Sequence, residues 1–382
     1  MRIGIVCYPT FGGSGVLATE LGKALAQEGH AVHFITYRQP VRLNEFNANI
    51  FYHEVRVPEY PLFEYPPYEL ALSSTLVDVI IKYDLDLLHV HYAIPHASAA
   101  YMAKQIVKEK TGRDVPFITT LHGTDITLVG KDKTYEPVVT FSINESDAIT
   151  AVSNNLREET YKYFNIKKDI QVIYNFVDIN RFDKKPIDAF KKAVAPKGEK
   201  IMVHASNFRK VKRVCDVVRI FAATQKEVPC KLLMVGDGPE RPVCEEAINK
   251  LGLENEVRFM GKQEQMEEIL AISDLFILPS EYESFGLAAL EAMAAHVPVL
   301  SSNAGGLPEV NIDAKTGFLF NVGDIDTAAE KAILLFKDDQ LLEQFKEDAY
   351  QHALTFNINN IIPIYEKLYN RFCRCGCPEE EE

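Results

Sequence analysis

At 382 residues the chain has room for about two to three ordinary domains, and its 47% hydrophobic and 25% charged fractions suit a soluble globular protein with a sizeable core. A formal net charge of −13 argues against nucleic acid as the main partner, because phosphate backbones are held by clustered Lys and Arg. No apolar run reaches the roughly 18 residues of a membrane span, the strand-like start MRIGIVCYP lacks the regions of a secretion signal, and seven cysteines without a disulfide framework point to a reducing, cytoplasmic compartment.

Residues 1–36 read as strand, glycine-bearing loop, helix and strand, a Rossmann-type unit. Gly12, Gly13 and Gly15 do not match G-x-G-x-x-G, and Tyr37 and Arg38 stand where a dinucleotide site carries an acid. A turn at Gly13, Ser14 and Gly15 that lets another ligand approach the first helix is the better reading, with simple tight-turn chemistry as its plain alternative. Residues 40–70 are aromatic and proline-rich and suit a surface loop. LDLLHVHYAIPH reads as a buried strand. His89, His91 and His96 invite a zinc reading that lacks a partner at metal-ligand spacing, so His91 and Tyr92 are read as pocket lining. The strand ending at Thr120 runs into His122, Gly123, Thr124 and Asp125, polar residues where α/β folds bind ligands, or else helix caps. Ser153 and Asn154 stand at another strand-to-helix junction.

The stretch 184–200 reads as a linker, after which KIMVHAS, CKLLMVGDG, EVRFMGK, DLFILPS and VPVLSS alternate with helical patterns, giving a second doubly wound sheet. Ser206 and the basic residues Arg209, Lys210, Lys212 and Arg213 follow the first of these strands, as a binding cluster or a solvated helix face. In PSEYESFGLAALEAMA a helix opens near Gly286. A helix start is a ready anion site, and Ser284, Phe285, Gly286 and Leu287 would supply the amides at its positive end. Glu283 precedes that helix and Glu291 lies two turns into it, so both carboxylates can face one pocket and accept sugar hydroxyls. Glu309 reads equally as a helix cap. INNIIPIYEKLYNRF is a last helix, and the Cys373, Cys375 and Cys377 tail is read as solvated rather than as a soft-metal site.

Glu283 and Glu291, with SFGLAALEAMA between and around them, resemble the E-x7-E motif of retaining glycosyltransferases of the GT4 type, and TLHGTD resembles the corresponding family segment. The resemblance extends over nearly the whole chain. It implies an α/β GT-B fold of two doubly wound Rossmann-like domains facing a cleft: an acceptor domain at 1–168, a donor domain at 169–355, a helix at 356–372 crossing back to the first domain, and a tail at 373–382. Arg209 and Lys212 resemble the family's diphosphate-binding pair, although Ser206-Asn207 replaces the usual Gly-Arg. His122 is placed by the donor sugar, Glu283 on the sugar hydroxyls and Glu291 on the ribose. Metal-free, retaining transfer is implied, with UDP-N-acetylglucosamine as donor substrate rather than a cofactor and L-malate as acceptor, the first step of bacillithiol synthesis. Nucleic acid partners and a membrane span are not expected, and a homodimer is allowed for. Tyr92, Thr120 and Asn154 are acceptor candidates, with Arg38, Lys131, Lys133 and the Gly12–Gly15 loop as carboxylate binders. A lipid or polysaccharide acceptor, and a non-catalytic nucleotide-sugar sensor, are the alternative readings.

Overall fold

Short aliphatic runs separated by amphipathic helices form parallel strands, since a helical crossover returns the chain to the same edge direction. The computed structural model describes residues 1–10, 12–44, 46–57, 64–130 and 132–372. Lys131, residues 58–63 of the aromatic segment, and Cys373, Cys375 and Cys377 lie outside the described residues. Two compact units are present: Met1–Tyr174 with the segment from Ile358 onward, and Asn175–Asn357.

The first unit contains β1 (Arg2–Val6), β2 (Ala31–Thr36), β3 (Ile50–Glu54), β4 (Leu87–His91), β5 (Phe117–Leu121), β6 (Ala148–Ala151) and β7 (Ile170–Val172). They form a seven-stranded sheet in the order β3-β2-β1-β4-β5-β6-β7. The order reverses between β1 and β4, so the carboxyl ends of these strands border the crevice where open α/β sheets bind ligands. Because β7 pairs with β6, the first unit runs on to Tyr174, past the 168/169 boundary expected from the sequence. The helix Ile358–Asn370 packs in this unit with Ile358, Ile361, Ile362, Tyr365, Leu368 and Tyr369 buried, the spacing of a single apolar face. Its Tyr369 hydroxyl lies 2.7 Å from His89 Nδ1 on β4, beneath the crevice.

The second unit contains β8 (Lys200–Ser206), β9 (Cys230–Gly236), β10 (Val257–Gly261), β11 (Leu275–Leu278), β12 (Val299–Ser302) and β13 (Gly317–Phe320), ordered β10-β9-β8-β11-β12-β13. Here the reversal lies between β8 and β11. Phe208, Phe221, Ile277 and Leu300 are among its core residues. The expected linker at 184–200 is corrected: it carries the helix Asp188–Val194 and lies inside this unit.

Several elements have no counterpart in the sequence reading. Edge strand β3 leaves Phe51 and Tyr52 each 38% exposed, so it lacks a clean inward stripe. The helix Tyr68–Tyr83 begins inside the segment expected to be loop, and β13 has only four residues. Among the described residues, no helix is long and apolar enough to cross a membrane.

Candidate active site

In the first unit, the chain leaves β1 through Tyr8 and enters the helix Gly13–Gln27. A Cβ on Gly15 would stand 2.4 Å from the Tyr8 carbonyl oxygen and 2.6 Å from that of Thr10, so only glycine lets the helix start tuck under this turn. Ser14 Oγ accepts a 2.6 Å hydrogen bond from the Tyr92 hydroxyl, tying the turn after β1 to the residue after β4. Tyr92 adopts φ +86°, a conformation that costs a tyrosine free energy and that the surroundings must hold.

Four histidines surround this corner. His91 Nδ1 lies 2.8 Å from His122 Nε2, and the His89 and His91 rings stack with centroids 4.6 Å apart. Burial lowers the pKa of His89 and of His122 to about 3 and that of His96 to about 4, with the neighbouring imidazoles adding to the effect on His89 and His122. Burial drives His91 well below its ordinary value. All four are therefore neutral near pH 7.

Their tautomers follow from the partners. His96 Nδ1 faces the His91 carbonyl oxygen and must donate to it, leaving Nε2 as a buried nitrogen without a partner. His91 Nε2 is likewise unpartnered. A bare lone pair costs less than an orphaned N–H, so His91 carries its proton on Nδ1 and donates to His122 Nε2. His122 then carries its proton on Nδ1.

Asp125 fastens the loops that present these groups. Its carboxylate accepts from Ala93 N at 2.9 Å and from Gly123 N at 3.0 Å, joining the segments after β4 and β5. Burial raises its pKa to about 6 against the pull of these backbone donors.

Thr120, an expected acceptor contact, is only 1% exposed. Its hydroxyl is shared between His89 Nε2 at 2.6 Å and Thr150 Oγ1 at 2.7 Å, so it supports the strand from beneath. Asn154 Nδ2 donates to the Tyr174 hydroxyl at 2.6 Å. Arg38 and Lys133 are exposed.

In the second unit, the loop after β8 and the loop after β11 are joined by the Glu281 amide donating to the Val211 carbonyl at 2.8 Å. This brings Lys212 Nζ to 2.6 Å from Glu283 Oε1. The Ser280 hydroxyl donates to the same oxygen at 2.8 Å, a partner that sequence reasoning missed although Ser280 closes the DLFILPS run. Both members of the pair are largely enclosed, with Lys212 20% and Glu283 14% exposed. The basic cluster divides in its surroundings: Arg213 is bound to Asp216 at 2.5 Å, whereas the Arg209 side chain is exposed.

The glycine turn expected at Gly305 and Gly306 closes on Glu283 itself. Gly306 N donates to the Glu283 carbonyl at 2.8 Å, and a Cβ on Gly305, whose φ is +60°, would stand 2.1 Å from that oxygen. Gly286 caps the helix Leu287–Ala294, which carries Glu291, half-buried, on its second turn. Phe285 is buried against Phe356 at a ring separation of 5.8 Å and fixes the preceding turn, including Ser284. Ser206 donates to His204 Nε2 at 2.8 Å, since His204 Nδ1 is committed to the Ile277 carbonyl. Among the described residues no group of three or more His, Cys, Asp or Glu converges as a metal site.

Residues 11–181 match the family described as Glycosyltransferase Family 4, and residues 187–352 match that described as Glycosyl transferases group 1. The chain is 48% identical over 374 residues to N-acetyl-alpha-D-glucosaminyl L-malate synthase of Bacillus anthracis, covering 97% of this chain and 96% of that protein. Among solved structures, Anabaena HepE in complex with UDP and glucose superposes with a TM-score of 0.80 at 20% identity, covering 96% of this chain and 99% of that one. Sucrose-phosphate synthase from Thermosynechococcus elongatus gives a TM-score of 0.79 at 20% identity, covering 97% and 98%. The two Rossmann-like sheets are those of the GT-B fold.

Proposed function

Since the chain belongs to the group 1 and family 4 glycosyltransferases, we propose that it transfers N-acetylglucosamine from UDP-N-acetylglucosamine to the hydroxyl of L-malate, the first step of bacillithiol synthesis. The observation that carries this reading is the 48% identity to the Bacillus anthracis synthase over 97% of the chain, which spans both units rather than the donor half alone. A biosynthetic reaction on two small polar substrates fits a cytoplasmic enzyme, and a homodimer is compatible with it.

The donor half supplies charge where charge develops. As the anomeric C–O bond breaks, the electron pair leaves with the UDP diphosphate. Lys212, held at 2.6 Å by Glu283, and Arg209 stabilise that charge by preorganised electrostatics without a metal. Amides from Ser284 to Leu287 assist at the positive helix end. Glu283 accepts from the sugar hydroxyls and Glu291 from the ribose, while Ser206 lines the nucleotide side. The malate hydroxyl attacks the same face that the diphosphate leaves, and its proton passes to a leaving phosphate oxygen, so the α configuration is retained.

The acceptor half contributes neutral donors. His122, protonated on Nδ1, offers a hydrogen bond near the reacting carbon without opposing the oxocarbenium-like charge. Gly13, Ser14 and Gly15 with Tyr92 and Asn154 line the malate side. Thr120 acts only through His89. Proton NMR of the product formed in EDTA tests the chemistry: an α-linked N-acetylglucosaminyl malate is expected, and a β-linked product or an absolute need for added metal overturns the mechanism.

A further inference from the structure

The second unit holds a pair of thiols that this reaction does not use. Cys215 lies in the first turn of the helix Val214–Gln225 and Cys244 in the first turn of the helix Arg241–Leu251. Their sulfurs are 3.4 Å apart. Cys215 is half-buried and Cys244 fully buried. A disulfide requires an S–S distance of about 2.05 Å, so the two sulfurs must close by roughly 1.4 Å.

We propose that Cys215 and Cys244 form a reversible oxidation site that throttles the donor half of the enzyme. A peroxide oxidises the more accessible Cys215 thiol, inserting one oxygen to give a sulfenic acid while the peroxide is reduced to water. The Cys244 sulfur then attacks the Cys215 sulfur, hydroxide leaves, and it takes up the Cys244 proton as a second water. Burial and the neighbouring thiol push the Cys244 pKa up, so Cys244 is the poorer nucleophile toward peroxide and the more accessible Cys215 is oxidised first.

The bridge reaches the donor site through short connections. Cys215 stands three residues after Lys212, and Glu240 N donates to the Phe208 carbonyl at 2.9 Å, coupling the chain before the second helix to the loop that carries Lys212. Drawing the two helix starts together therefore strains the loop that positions the Lys212 ammonium against Glu283. A displacement of about 1 Å at a reacting centre can cost up to about a hundredfold.

The effect on turnover rests on Lys212 acting at the donor site, whereas the cross-link does not. The full-length protein is treated with hydrogen peroxide, blocked with an alkylating agent and mapped by peptide mass spectrometry, and UDP release is followed before oxidation, after it, and after dithiothreitol. A Cys215–Cys244 linked peptide is expected, with a loss on the order of tenfold in turnover that dithiothreitol restores. Cys215→Ser and Cys244→Ala should each keep basal turnover and lose the peroxide response. Absence of the linked peptide, a bridge that leaves turnover unchanged, or inactivation that persists in both variants overturns the proposal. Failure of malate-dependent transfer in the untreated enzyme would instead strike the functional reading.

Discussion

Lys212 Nζ and Glu283 Oε1 stand 2.6 Å apart although 71 positions separate them in sequence. The contact exists because the loops after two adjacent parallel strands, β8 and β11, are stitched by the Val211–Glu281 backbone bond. The cation proposed for the leaving group and the carboxylate proposed for the sugar thus position each other.

Lys212→Ala is therefore expected to lower kcat/KM for UDP release by about a hundredfold to a thousandfold, the effect of losing one preorganised donor to a developing anion. Arg209→Ala, at an exposed position, should cost about tenfold, nearer the lower end expected of a screened charge. Steady-state kinetics, with circular dichroism confirming that both variants fold, checks the ordering; equal losses would remove the distinction between them.

Gly305→Ala tests the turn that holds Glu283. The new Cβ would lie 2.1 Å from the Glu283 carbonyl oxygen at a φ of +60°, so the turn must move or the residue must bear about 1–3 kcal/mol of strain. A lowered melting temperature together with a drop in kcat is expected. An unchanged kcat would mean that the turn does not govern the carboxylate.

Much of this second-unit site was legible in the sequence, because its strand, turn and helix signals are local and the E-x7-E spacing lies within one stretch. Pairings across the sheet were not. Neither the His91–His122 contact nor the anchoring of His89 by Tyr369, 280 positions away, leaves a local trace. Thr120 looked like a ligand contact because it ends a strand among polar residues, yet its hydroxyl is used up inside the sheet. Strand β3 escaped notice for the opposite reason: its exposed Phe51 and Tyr52 blur the alternation that marks a half-buried strand.

Tyr369→Phe should loosen the first unit without touching the reaction. It removes the partner of buried His89 Nδ1, and an orphaned buried polar atom costs about 1–3 kcal/mol. Denaturant unfolding should show that loss while kcat stays within about twofold of the parent, as expected for a group outside the reacting centre.

Acid should weaken the fold, the first unit before the second. His89 and His122 (about 3) and His33 and His96 (about 4) titrate in the folded first unit below the ordinary histidine value of 6.5. The unfolded chain therefore binds more protons, and the stability these histidines contribute is present above pH 6.5 and lost as pH falls towards 4 and then 3. Asp125, raised to about 6, works in the opposite direction between pH 6 and 4, but it is one group against several. The second unit has His204 at about 4 and His352 lowered by burial. Hydrogen exchange at pH 5 should show β4 and β5 losing protection before β8 and β11; the reverse order would contradict the assignment.

The most direct measurement is UDP release by the purified protein supplied with UDP-N-acetylglucosamine, with and without L-malate, with the product weighed by mass spectrometry. Malate-dependent release giving a product of N-acetylglucosaminyl malate mass is the expected result. Tight UDP binding with no malate-dependent release would contradict the assigned acceptor while leaving the nucleotide-binding half intact.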